Sequence, residues 1–162
     1  MATTTFRAFR AEMATAVRAI TPTTELGDKA AKFTEFHDSI DFREWAQANP
    51  DNCTRTFSIA DMFDDDPVEI SDATADLQPI RCEVLVGYQH DYKYGANKLR
   101  DMESVIREDY RSIELALGIH GQANYTVGCT IKEDGPPFDV EVYDGVSVLV
   151  VPYLCRFYQS VS

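Results

Sequence analysis

A single apolar stripe in the middle of the chain constrains the fold more than any other feature. Between residues 96 and 117, large apolar side chains recur at spacings of 3, 4, 4, 3 and 4, the period of one α-helical face. Gly118 follows and provides a stop. The pattern predicts a helix of about six turns with one buried face. Its members are Leu99, Met102, Ile106, Tyr110, Ile113 and Leu117.

The other side of this helix is charged, and we expect it to be solvated. Acidic and basic residues three or four positions apart can form salt bridges along a helix. Tyr, Met and Ile at helical spacing are more typical of core packing than of a cofactor site, so we interpret the apolar stripe as core. The charged residues are Arg100, Glu103, Arg107, Glu108, Arg111 and Glu114.

Further helices and strands are predicted on both sides of the stripe. Apolar spacings of three and four predict an amphipathic helix over residues 5–20, which Pro22 ends. Asp41 followed by Glu44 resembles a capping box and predicts a short helix over residues 41–48. β-Branched, aromatic and alternating residues predict strands over residues 54–59, 80–88, 124–131, 138–143 and 146–158.

The connections and the order of elements indicate the fold class. The Asp144-Gly145 pair between alternating apolar residues predicts a hairpin. Pro152 cannot donate to a ladder, so we expect a bulge or a sheet edge there. The whole chain, residues 1–162, is predicted to be one α+β domain: a mixed or antiparallel sheet of about four to six strands packed by the N-terminal helix and the long central helix. We expect the central helix to pack on Val84, Val86, Val148 and Val150.

Charge and hydropathy exclude several classes of protein. The chain has 27 acidic and 15 basic residues, a formal net charge of −12, and no basic run that could grip nucleic-acid phosphates. The longest apolar run, around residues 148–151, has the length of a strand, so we expect no membrane span. No apolar leader segment follows the first residues. We therefore expect a soluble protein whose synthesis ends in the cytoplasm.

Reactive side chains are scattered along the sequence. The four cysteines have no zinc or redox spacing, so we expect them to be buried, reduced and metal-free. Of the three histidines, His90 beside Asp91 is the most suggestive, although such a turn pair is more often a surface feature. The sequence has no G-x-S-x-G hydrolase motif, no P-loop of a nucleoside triphosphatase and no G-x-G-x-x-G dinucleotide-binding motif. The other residues of these types are Cys53, Cys82, Cys129, Cys155, His37 and His120.

One acidic connection is unusually long. Residues 61–79 hold seven acidic positions in nineteen residues. A connection of that length in a small domain is usually a functional or a flexible loop. The segment offers oxygen ligands, but it lacks the residue order and the glycine of an EF-hand. We interpret it as a contact loop, with weak cation binding as the alternative.

Four segments follow one another along the chain: FRAFRAEMATAVRAI, IRCEVLVGYQHDY, KLRDMESVIREDYRSIELALG and GVSVLVVPYLCRFYQ. Their order resembles the tail terminator proteins of long-tailed bacteriophages. This chain departs from shorter family members by inserting residues 21–52 and by its acidic connection. The resemblance implies a structural virion protein with no catalytic residue and no cofactor.

What the resemblance implies is a ring of six copies at the head-proximal end of the tail tube. Such a ring stops tail growth and joins the tail to the head connector or stopper protein, while DNA passes through its channel. The implied partners are further copies of the chain, the tail tube protein and the connector. The implied location is the tail or neck of a virion assembled in the host cytoplasm.

We expect subunit contacts at the acidic loop, at the hairpin arm near residues 131–146 and at an outer strand edge. Two alternatives stay open: a head-completion or connector protein of the neck, and, from another class, a small α+β binding module or enzyme. An enzyme should carry a concave polar pocket. The candidate interface residues are Asp61, Asp64, Asp65, Asp66, Glu69, Asp134, Phe138 and Tyr143.

Overall fold

The computed structural model describes residues 6–37, 41–61, 77–118, 128–131 and 136–158. Within these ranges, three α-helices accompany one mixed sheet, which confirms the predicted α+β class. None of the described helices is long and apolar enough to cross a membrane. The helices are α1 (Phe6–Arg18), α2 (Phe42–Ala48) and α3 (Lys98–Leu117); the strands are β1 (Thr34–Glu35), β2 (Thr56–Asp61), β3 (Leu77–Gln89), β4 (Gly128–Ile131), β5 (Asp139–Val142) and β6 (Val146–Tyr158).

The sheet runs in the order β1-β2-β3-β6-β4, and β5 also pairs with β6. Strands β1 and β2 are parallel, and every other pair is antiparallel. The long strands β3 and β6 pair along their whole length, from Leu77 with Tyr158 to Gln89 with Val146. Since β3 occupies one side of β6, strands β5 and β4 lie one after the other along its second side. The predicted strand over residues 124–131 is described only from Gly128 onward.

Of the two settings expected at Pro152, a bulge or a sheet edge, the register with β3 excludes the bulge. This proline lies opposite Glu83 in an unbroken register with β3, inside a central strand. On the other side of β6, β5 pairs with residues 147–150 and β4 with residues 154–157. A residue without an N–H fits between those two segments, because neither strand's register includes it.

Helices cover both faces of the sheet. Helices α1 and α3 contribute to the larger core on one face, and α2 contributes to a second core on the other. The register places Val84 opposite Val151, so odd-numbered residues of β6 face α3. The prediction that Val148 and Val150 lie beneath α3 is therefore wrong, and both pack in the core of α2. The pairing register of β3 with β6 determines which residues of β6 share a face with Val84. The alternation of apolar residues within either strand does not predict this register.

Helix α3 buries a wider sector than its apolar stripe. Met102, Ile106 and Ile113 are buried as predicted, whereas Leu99, in the first turn, is 54 % exposed. Glu114, which we expected to be solvated, is only 4 % exposed. The helix contacts α1 as well as β6, so two sides of it are covered. A single stripe cannot predict this second covered side.

Local capping and turn predictions are confirmed. The Asp41 carboxylate accepts a 2.8 Å hydrogen bond from the Arg43 N–H at the start of α2. At the β5–β6 hairpin, the Tyr143 N–H donates to the Val146 carbonyl over 2.8 Å. Gly145 has a φ of 81°, the left-handed conformation that a tight turn needs. The two-residue hairpin sets the register of β5.

Candidate subunit interface

Strand β5 forms one edge of the sheet among the described residues. It pairs with β6 and with no other described strand. Tyr143 and Val146 form the hydrogen-bonded pair next to the turn. Because this pattern alternates along an antiparallel strand, the N–H and C=O groups of Tyr143, Glu141 and Asp139 point toward β6. The main-chain groups of Val140 and Val142 therefore point outward. The Val140 N–H is held by the Asp139 carboxylate at 2.9 Å.

An apolar groove lies between this edge and α3. Its volume is about 330 Å³. Val142 is 72 % exposed in it, although sheet edges are normally protected by charge or by covering. Phe138 stacks on Tyr110 with ring centroids 4.3 Å apart, and the Arg107 guanidinium lies 6.0 Å from the Phe138 ring. The lining residues are Met102, Glu103, Ile106, Arg107, Phe138, Val140, Val142 and Ser147.

The opposite end of the sheet has a second partly uncovered edge within the described residues. Strand β1 pairs only with Thr56 and Phe57, so the outer side of β2 has no described strand along residues 58–61. The Phe36 N–H donates to the Phe57 carbonyl over 2.8 Å, which shows that odd-numbered residues of β2 direct their main chains outward. Ile59 and Asp61 continue that outward-facing series.

Helix α1 places three arginines at the end of the molecule near β2, and two of them face carboxylates of that end. The helix contacts both β1 and β2. Arg18 forms an ion pair with Glu35 of β1, and Arg10 lies near Asp61 of β2. Burial raises the pKa of Asp61, and the charge of Arg10 opposes this shift. The groove at the other end of the sheet is lined by both Glu103 and Arg107. Both ends therefore carry acidic and basic side chains, and the exposed ones include Arg7 at the first end and Glu103 at the second. The arginines of α1 are Arg7, Arg10 and Arg18.

The structure separates the interface residues proposed from the sequence. Asp61 ends β2, whereas Phe138 and Tyr143 flank β5, with β3 and β6 between them. Phe138 packs with the core of α3, and Tyr143 packs with the core of α2. These residues therefore do not form one patch. The other five candidates, Asp64, Asp65, Asp66, Glu69 and Asp134, lie outside the described residues.

An ionic cluster fixes β5 from the side of α2. The Arg43 guanidinium donates to both Glu141 oxygens, over 2.6 and 3.2 Å, and to Glu83 over 3.4 Å. The Tyr143 hydroxyl donates to Glu141 over 2.8 Å. These bonds, led by the one from Arg43, hold the pKa of Glu141 below its ordinary value. They fix the α2 face of β5 and leave its outer edge uncovered.

A second ionic site is fully buried, and its residues are not predicted from the sequence. Arg55 donates to both Asp109 oxygens, over 2.8 and 2.9 Å, and to the Ala30 carbonyl over 3.0 Å. The Tyr88 hydroxyl adds a 2.8 Å bond to Asp109. Burial raises the pKa of Asp109, while the bonds from Arg55 and Tyr88 act against that rise. Arg55 and Asp109 are both 0 % exposed, so we assign the site a structural role.

His90 and Ser147 form the described pair that most resembles a base with its nucleophile. His90 Nε2 and Ser147 Oγ are 2.8 Å apart. Ser147 is only 1 % exposed and belongs to a strand paired on both sides, so its hydroxyl is shielded from solvent. The hydrogen bond joins β6 to the residue that follows β3. Across the described ranges, no group of three or more His, Cys, Asp or Glu could hold a metal ion.

The thiols should react slowly until the protein unfolds. Cys53, Cys82 and Cys155 are free and buried, and burial raises the pKa of Cys53 to about 12. A thiol of that pKa is almost entirely protonated at pH 8 and is a poor nucleophile. In a titration with Ellman's reagent, we expect at most one rapidly reacting equivalent before denaturation and four after it. Rapid reaction of two or more thiols in the folded protein would contradict this burial.

Comparison with known proteins adds no relative. No protein-family model matches the chain, and no curated protein or solved structure is significantly similar to it. Functional inference therefore depends on the sheet edges, the groove and the charges described above.

Proposed function

We propose that the protein is a structural component of a phage virion, a tail terminator that forms a ring at the head-proximal end of the tail tube. The observation that carries the proposal is that, within the described residues, the sheet is uncovered at both ends: at β1 and residues 58–61 of β2 on one side, and at β4 and β5 on the other. Contacts between unlike surfaces of identical subunits close into a ring when the rotation between them permits. The unlike edges at the two ends of this sheet supply two surfaces that can form such a contact.

The charge of the chain fits a channel for DNA. Each copy carries a formal net charge of −12, so a ring would surround its axis with negative potential. DNA could pass through such a channel without being held, since binding requires basic side chains at the phosphates. In this proposal the lower face of the ring contacts the tail tube protein and the upper face contacts the head connector or stopper protein.

Deleting the gene from the encoding phage tests this role. We expect tails of uncontrolled length and heads without tails in electron micrographs of the lysate, because nothing ends tube growth. Supplying the wild-type chain in trans is the control and should restore normal virions. Tails of normal length that fail to join heads would favour the alternative role of a neck protein. Normal virions from the deletion phage, or absence of the chain from purified virions, would contradict any structural role.

A further inference from the structure

Building on the proposed ring, we propose that neighbouring copies join by continuing one β-sheet. The outer edge of β2 in one copy, residues 58–61, pairs with the outer edge of β5 in the next copy. The occupant of the groove beside β5 is thus a second copy of this chain. Adding a strand to an uncovered edge uses main-chain hydrogen bonds, while adjacent side-chain pockets give the specificity.

The directions of the strands agree with this pairing. Within one copy, β3 is antiparallel to β2, β6 to β3 and β5 to β6. Strand β5 therefore runs opposite to β2. If a neighbouring copy continues the sheet with the same face outward, its β2 runs in the same direction as β2 of the first copy. The neighbour's β2 and the first copy's β5 therefore meet as an antiparallel pair. Such a pair needs no change in the fold of either copy.

The main-chain groups at the two edges are also matched. Val140 and Val142 direct their N–H and C=O groups outward from β5, and Ile59 and Asp61 do so from β2. Each edge thus offers two outward-facing residues, enough for a short ladder. The bond between the Val140 N–H and the Asp139 carboxylate is on the exposed edge and can be exchanged for one to a neighbouring strand.

Side chains beside the edges are complementary. Val142 is the most exposed large apolar residue of the described chain, at 72 %, and it lies on the face of α3. A neighbour that continues the sheet brings its α1 over this face, because α1 packs above β2 on the same side as α3. The pairing would cover Val142 and remove an exposed apolar residue from water.

One pair of opposite charges favours the same contact despite the acidic net charge. The arrangement brings the exposed Arg7 of one copy toward the exposed Glu103 of the next. At physiological ionic strength, charges more than about 8 Å apart are largely screened, so adjacent opposite charges outweigh distant repulsion. The contact is between unlike ends, as a closed ring of identical copies requires.

Cross-linking of the purified full chain tests the pairing. In the double variant Asp61→Cys with Val142→Cys, both new thiols lie on the α3 face of the two edges. The control is Gln47→Cys with Val142→Cys, since Gln47 is exposed on α2, across the sheet. With a short bis-maleimide at high protein concentration, we expect at least tenfold more multimers in denaturing gels from the first variant than from the control. Equal yields, or no multimers from either variant, would overturn the pairing.

A charge substitution provides a second measurement. Because Val142 is exposed, Val142→Lys should keep the native circular dichroism spectrum. We expect at least a tenfold loss of cross-linking when it is combined with Asp61→Cys and Val140→Cys, which place one thiol on each edge, measured against those two cysteines alone. Unchanged multimers in the presence of Val142→Lys would overturn the pairing. The gene deletion tests the proposed role in the virion separately. Its phenotype can support that role even when the cross-linking contradicts the contact between β2 and β5.

Discussion

Replacing Asp109 with Ala is expected to lower the free energy of unfolding by about 3 to 5 kcal/mol, because it leaves the buried Arg55 guanidinium without its counter-charge. Both residues are 0 % exposed, and two hydrogen bonds of 2.8 and 2.9 Å join them. A small domain has only about 5 to 15 kcal/mol of stability, so the loss is a large fraction of the whole. Urea unfolding followed by circular dichroism measures the change.

The matched control for this experiment is an exposed ion pair on the same protein. Asp91 and Lys98 lie 3.0 Å apart, with side chains 83 % and 71 % exposed. Asp91→Ala should therefore change stability by less than about 1 kcal/mol, as is usual for solvated pairs. Similar losses from Asp109→Ala and Asp91→Ala would show that Asp109 is not the buried anchor described here. Asp109 is a better site for substitution than Arg55, whose φ of 57° adds a backbone effect to any change.

Elements with strong local signals could be predicted from the sequence. The periodicity of α3, the cap of α2 and the turn at Gly145 are short-range features, and the structure has all three. The pairing of Arg55 with Asp109 is different, because 54 positions separate the two residues. In the sequence, Asp109 lies among the charged residues of a helix. It becomes the buried ion-pair partner of Arg55 because the fold places α3 next to Arg55 and Tyr88.

Gly87 is a second residue whose structural role cannot be predicted from the sequence. A Cβ on Gly87 would come within 2.7 Å of the Cys53 carbonyl oxygen, so the close approach of the two segments requires glycine. The Arg55 N–H donates to the Gly87 carbonyl over 2.9 Å at this crossing. In the sequence, Gly87 interrupts an alternating strand without a visible reason. The contact that explains it is made by a distant part of the chain.

The candidate interface was only partly accessible to sequence reasoning. Phe138 and Tyr143 were chosen as parts of a hairpin arm, and they do flank the strand that forms an edge. The sequence does not indicate Val142, the most exposed large apolar residue among those described. Its exposure depends on where β6 ends its pairing and where α3 lies, which are properties of the assembled sheet. Spatial arrangement, more than residue type, distinguishes the edge from the core.

Replacing Ile106 with Ala is expected to cost about 2 to 5 kcal/mol of stability, since it removes buried methyl groups and leaves a cavity under α3. Ile106 is 3 % exposed, whereas Leu99, two turns earlier in the same stripe, is 54 % exposed. Leu99→Ala is therefore the control, and it should change stability by no more than about 0.5 kcal/mol. Urea unfolding of both variants compares the two positions directly. Comparable losses would mean that the stripe packs as its periodicity suggests and that Leu99 is covered in solution.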